Sequence, residues 1–251
     1  MPHFFVGTSG FAYVSWRGIF YPEDLPSRDL LRYYCRHFPA VELNVTFYRW
    51  PRPETLKAWR QQVGQEFRFA VKVHRSITHQ KRLRDCQGEL SRLQDLCRLL
   101  GPSVLLVQLP PSLQFAPERF AEFRSSLPGD LPPLAWEGRH PSFGTEEAAA
   151  LFRRFGWSLV VADSGGRFPT FKVLTSLPLY LRFHGPGRLY ASPYSKAQLA
   201  AFARWVRERL PAAGELYAFF NNDEGGYALG NAKTFTALLQ APEVVEEIDE
   251  K

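Results

Sequence analysis

Positions 41 to 48 alternate: Val41, Leu43, Val45 and Phe47 are apolar, and Glu42, Asn44, Thr46 and Tyr48 fall between them. A period of two sorts the stretch onto two faces and predicts a strand. The pattern recurs at 67–74, where Phe67, Phe69, Val71 and Val73 oppose Arg68, Ala70, Lys72 and His74. It recurs again at 178–185, where Leu179, Leu181 and Phe183 oppose Tyr180, Arg182 and His184. Five more runs read as strands: FFVGTS (4–9), SVLLVQLP (103–110), PLAWEGR (133–139), SLVVADS (158–164) and ELYAFFNND (215–223).

Helical periodicity fills the gaps, in SRDLLRYYCRHF, PETLKAWRQQV, GELSRLQDLCRLL, PERFAEFRSSL, TEEAAALFRRF and SKAQLAAFARWVRERL. Boundary signals agree: Ser195 and Gln198 have capping-box spacing, Thr145 precedes Glu146 and Glu147, and Pro117 suits a first turn. After the sixth strand only FKVLTS offers a helix, and after the eighth a helix is expected from about Asn231. Eight strands, each with a helical return, predict a single (β/α)8 TIM-type barrel over residues 1–242. The acidic tail at 243–251 is expected to be disordered. In such a barrel one face of each strand meets the helices and the other points inward. Val41, Leu43, Val45 and Phe47 should then face helices, and Glu42, Asn44, Thr46 and Tyr48 the interior. Aliphatic layers normally fill that interior, so the polar inner faces of strands two, three and seven depart from the norm where function concentrates.

Composition narrows the partners. A net charge of +6 hides a tail, EVVEEIDEK, that carries −4, leaving about +10 on the rest. Such a body favours anionic partners, a small phosphorylated substrate or nucleic acid. No run approaches the roughly 18 apolar residues of a membrane span, and the N-terminus has no secretory pattern, so a cytoplasmic protein without a membrane partner is expected. Cys35, Cys86 and Cys97 match no zinc, redox or disulfide spacing. Oligomeric state stays open.

Catalytic groups of such barrels sit at the C-terminal strand ends. Collected there, Glu42, Lys72, His74, Glu137 and His184 are candidate catalytic groups, with Glu42 as acid or base and a histidine as proton shuttle. The competing reading of Glu42 is a buried ion pair with Lys72 or Arg182. An inward Lys72 beside arginines has the setting for a lowered pKa, for anion binding or for Schiff-base chemistry. Asn44, Tyr48, Gln108, Arg139, His140, Arg182, Asn221 and Asn222 are candidates for holding substrate. Gly225 and Gly226, in the loop after the last strand, offer backbone N–H groups to an anion. No cofactor is called for. A divalent metal is an option by analogy with metal-dependent barrel nucleases, although no HxH or HExxH spacing is present. For nucleic acid, HRSITHQKRLR supplies Arg75, Lys81, Arg82 and Arg84, and SGFAYVSWRG and FYRWPRP interleave basic with aromatic residues.

Seven stretches in order, GTSGFAYVSWRGIFYP, VELNVTFYRWP, FRFAVKVHRSITHQKRL, LLVQLPPSLQF, WEGRHPSF, YLRFHG and YAFFNNDEGGYALGNA, resemble the YecE-like family, a domain of unknown function. The resemblance covers nearly the whole chain and implies a TIM-type barrel. It implies no known reaction.

Overall fold

The computed structural model describes residues 2–241, so the acidic tail at 243–251 lies outside the described residues. Among them run nine strands: β1 (His3–Ser9), β2 (Ala40–Leu43), β3 (Arg68–Lys72), β4 (Val104–Gln108), β5 (Leu134–Glu137), β6 (Ser158–Leu159), β7 (Val161–Asp163), β8 (Leu179–Phe183) and β9 (Glu215–Phe220). They are hydrogen-bonded in the order β6-β5-β4-β3-β2-β1-β9-β8-β7, and every pairing is parallel. The two edge strands are one stretch of chain. Ser158 and Leu159 pair with β5, the Val160 amide still donates to the Trp136 carbonyl at 2.9 Å, and from Val161 onward the partner is β8. The sixth expected strand thus changes neighbours midway and draws the sheet into a nearly closed TIM-type barrel.

Helices surround it: α1 (Leu30–Tyr34), α2 (Val45–Tyr48), α3 (Pro53–Gln61), α4 (Gln87–Leu100), α5 (Pro117–Ser126), α6 (Glu146–Phe155), α7 (Lys196–Arg209) and α8 (Tyr227–Gln240). Their ends obey the expected chemistry. Ser195 and Gln198 form a complete capping box on α7, Thr145 accepts from the Ala148 amide at the start of α6, and Pro117 opens α5. Among the described residues no helix is long and apolar enough to cross a membrane.

Period-two sorting becomes two separate apolar clusters. Phe67, Phe69, Val71 and Val73 of the third run join Leu179, Leu181 and Phe183 in the shell between sheet and helices. Ala70, Leu106, Ala135, Val160, Tyr180 and Phe219 form a second cluster inside the barrel. At the N-terminal end of the barrel Phe5 stacks on Tyr217, ring centres 5.0 Å apart, and Arg68 lies 5.0 Å over the Phe5 ring. The opposite end is polar.

Three expectations are corrected. The second strand ends at Leu43, and Val45–Tyr48 turns as α2, where the Thr46 hydroxyl stands 2.7 Å from the carbonyl oxygens of both Leu43 and Lys72 and donates its one hydrogen between them. Of the four polar residues expected to face the interior along that strand, only Glu42 does so as part of a strand; Tyr48 is 62% exposed. FKVLTS forms no helix. The return over 164–178 is irregular, pinned by Thr175, which accepts from the Leu159 amide and donates to the Trp157 carbonyl, each at 2.8 Å. Finally, α8 begins at Tyr227 rather than Asn231, after a 3-10 turn in which Gly225 and Gly226 take φ of 64° and 77°.

Gly7 marks the closest approach between β1 and β2. A Cβ built on it would stand 2.0 Å from the Ala40 carbonyl oxygen and 2.9 Å from the Tyr34 hydroxyl, which itself receives the Thr8 amide at 2.9 Å. Gly7→Ala is expected to cost about 3 kcal/mol, the upper end of overpacking, and at this chain length to lower Tm by roughly 6–12 °C in calorimetry.

Candidate functional site

At the C-terminal end of the barrel the inward residues of β1, β2, β5 and β8 converge on Arg182. Its Nε donates to Glu42 Oε2 at 2.9 Å, and Nη2 to Glu42 Oε1 at 2.7 Å and Ser9 Oγ at 3.3 Å. Nη1 donates to Glu137 Oε2 at 2.5 Å and faces His184 Nε2 at 3.2 Å. A guanidinium has five N–H donors, and here each has an acceptor. Glu42 is fully buried and also receives Ser9 Oγ and, at 2.7 Å, the Tyr180 hydroxyl. Glu137 receives Gln108 Nε2 at 2.9 Å and Arg139 Nε at 2.7 Å.

The electrostatics follow from this plate. Burial pushes the Glu42 carboxyl up, but the charge and hydrogen bonds of Arg182, with those of Ser9 and Tyr180, hold it below the ordinary value. Burial likewise opposes ionisation of Glu137, and Arg139 and Arg182 hold it well below the usual carboxylate range. Both stay ionised at neutral pH. His184 goes the other way: burial, then the neighbouring Arg182 charge, lowers it to about 4 despite Glu137. It is neutral at pH 7, and because Arg182 can only donate, His184 Nε2 is the acceptor and Nδ1 carries the proton. That N–H faces the Asn221 side-chain amide at 3.1 Å, whose oxygen is the group that can receive it.

Lys72, at the end of β3, is different. It is 7% exposed, its Nζ lies 4.2 Å over the Phe47 ring, and among the described residues it makes no hydrogen bond or ion pair through Nζ. Burial, reinforced by the Arg182 charge and only partly offset by Glu137 and Glu42, lowers it to about 7. Phe47, expected to face helices, reaches Lys72 because α2 begins two residues earlier. His79 completes the group. It sits edge-on to Phe47 at 4.9 Å and is lowered to about 4 by burial and then by the charges of Lys72 and Arg139. A π-turn over Ser76–Gln80 carries it back toward the barrel. Arg139, half-buried, is covered by the Phe168 ring at 4.4 Å.

Other candidates lie apart from this centre. His74 stacks on Trp50 at 4.7 Å, and its Nδ1 accepts from the Ser76 amide at 3.2 Å; His140 does the same with the Ser142 amide, also at 3.2 Å. Both are turn-forming His-x-Ser units. Asn44 stands at the start of α2, with its Oδ1 buried and unpartnered among the described residues. Asn222 donates to Ser192 and Asn231, tying the last loop to α8. Beside Gly225 and Gly226, Glu224 pairs with Arg188. In the basic loop, Lys81 pairs with Glu89 at 2.8 Å and Arg82 bonds Ser112, so these two hold the loop together, while Arg75 and Arg84 are exposed. Among the described residues no three His, Cys, Asp or Glu side chains converge as a metal site needs. His79 was not among the expected site residues, because nothing in SITHQ foretells a π-turn.

Comparison with known proteins places this geometry. A family model described as "Protein of unknown function DUF72" matches residues 5–250. UPF0759 protein YecE of Escherichia coli is 37% identical over 145 residues, 53% of this chain and 52% of that protein, so the match spans about half of that relative. UPF0759 protein YunF of Bacillus subtilis is 25% identical over 253 residues, 87% of this chain and 89% of that protein. The crystal structure of a DUF72 family protein from Thermotoga maritima superposes with a TM-score of 0.85 at 31% identity, covering 95% of this chain and all of that one.

Two substitutions separate the plate from the amine. The folded chain releases the Lys72 proton near pH 7, whereas an unfolded lysine keeps it to its ordinary value of 10.5. The amine therefore destabilises the fold at and below pH 7, and that penalty fades as pH rises toward 10.5. Lys72→Met is expected to be more stable than wild type at pH 7 and to lack this rise in urea unfolding. Glu42→Gln, which leaves Arg182 one carboxylate short, is expected to lose about 3–5 kcal/mol.

Proposed function

The chain belongs to the DUF72 family, and from that premise we propose that its barrel is an enzyme performing acid–base chemistry on an anionic, phosphate-bearing substrate at the C-terminal mouth. The observation that carries this reading is Lys72: a buried amine at the strand ends, without an acceptor among the described residues and lowered to about 7. A lysine without a partner in such a place is destabilising, and stability given up at a strand end is the mark of a group kept for function. With that pKa it exchanges a proton at neutral pH.

The remaining roles follow from what each group has left to offer. Arg182, with all five donors engaged, and Glu42, with its lone pairs taken, position the plate rather than touch substrate. Arg139 uses Nε on Glu137, and its outer nitrogens are the second source of positive charge beside Lys72. Counting Lys72 as protonated, three cations meet the two carboxylates Glu42 and Glu137, an excess that favours an anion. Neutral His184 spends its Nε2 lone pair on Arg182, whereas neutral His79, half-buried beside Lys72, is placed to relay a proton. Three unpaired cysteines, two of them buried, suit a reducing compartment, and we place the protein in the cytoplasm.

Sulfate, which keeps its charge across neutral pH, tests the site without a known substrate. With a pKa of about 7, Lys72 is about nine-tenths protonated near pH 6 and about one-tenth near pH 8. Sulfate is therefore expected to bind about tenfold tighter at the lower pH by calorimetry, and Lys72→Met to remove both that difference and most of the affinity. A panel of phosphate mono- and diesters should then yield a turnover that Lys72→Met lowers by roughly 10²–10⁴-fold. Sulfate binding that ignores both pH and the substitution would sink the assignment.

A further inference from the structure

Apart from the Lys72 centre, we propose that the outer face of α3, with the loops that follow β1 and β2, is a binding track for single-stranded nucleic acid. Three adjoining depressions of about 330, 310 and 420 Å3 all include Trp59 in their walls. The first adds Arg28, the second Asn44, and the second and third share Arg49. Trp50 lines both the third and a fourth depression of about 470 Å3, where it stacks on His74 and Arg92 is a further wall residue. Through shared Trp59, Arg49 and Trp50 the four depressions adjoin, and each has an aromatic ring and a guanidinium in its wall.

Three features select the occupant. Arg49 and Arg52 are exposed, and among the described residues neither makes an ion pair or a side-chain hydrogen bond. The acids along the band are Glu54 and Glu89, and Glu89 is already paired with Lys81. An anion is thus the complementary partner. Second, Trp59 and Trp50 are half-buried, and Tyr48, 62% exposed, stands next to Arg49 in the chain. Aromatic platforms between phosphate-binding arginines suit bases that are unstacked, which a duplex does not offer. Third, Asn44 belongs to the wall of the second depression, where its carboxamide adds a hydrogen-bonding group beside the aromatic faces. The basic loop singled out in the sequence is less available, since Lys81 and Arg82 are spent on its own fold.

The test is fluorescence anisotropy with labelled oligo-dT and oligo-U, single-stranded and in duplex, at low and at physiological salt. The full chain is expected to prefer single strands. Arg49→Glu combined with Arg52→Glu changes two exposed side chains with no structural bonds, and should weaken binding on the order of tenfold and reduce the salt slope by about 1.4, from roughly 0.7 per phosphate. Trp59→Leu should cost roughly tenfold for single strands through lost stacking. Arg124→Glu with Arg154→Glu, an equal charge change on the α5–α6 face, should cost far less. No binding at low salt, an equal loss in both double variants, or equal affinity for duplex and for heparin would overturn the track. None of these outcomes bears on sulfate at Lys72, so the two readings stand or fall separately.

Discussion

A guanidinium buried at the centre of a barrel must have every donor answered, and that constraint organises this molecule. Moving Arg182 out of water is tolerable only because Glu42 and Glu137 bring two charges and Ser9 and His184 complete the set. Ser9, Glu42 and Glu137 come from β1, β2 and β5, so one side chain on β8 fixes the relative height of strands that are not all neighbours in the sheet. The arrangement also exhausts the acids. With both carboxylates committed to Arg182, neither bonds Lys72, and burial and the Arg182 charge together depress its proton affinity more than the two acids restore it.

The same constraint separates rigidity from reactivity. Groups in the plate are held by several short hydrogen bonds each, which suits positioning and leaves no capacity for a ligand. The groups at its edge are held by aromatic contacts: Phe47 under Lys72 and beside His79, Phe168 over Arg139. Such contacts shape a site without consuming its donors and lone pairs.

Much of this was legible in the chain and some was not, for physical reasons. Alternation in the third and seventh expected strands placed Lys72, Arg182 and His184 inside, because a side-chain period of two survives whatever the strands pack against. It misled in the second, where the same alternation continued through 45–48 although the chain there turns as α2, with the Thr46 hydroxyl against the Leu43 and Lys72 carbonyls. Candidate histidines were visible as residues but not as roles: His74 and His140 close turns through the serine two residues on, a local bond that the spacing does contain. His79 was illegible, since it depends on a π-turn that no local propensity signals. Whether Glu42 was catalytic or structural could not be told without knowing how many donors surround it.

The partner change at Val160 has a consequence for how the barrel breathes. Elsewhere the wall is continuous pairing, but at this seam two residues bond one way and three the other, with Val160 between them. A parting of the wall there breaks the fewest backbone bonds, so this is the segment with the least to lose on local opening. The irregular return that follows carries Phe168, the ring seated on Arg139. The ring that covers the guanidinium is therefore carried by the same stretch of chain that closes the cylinder.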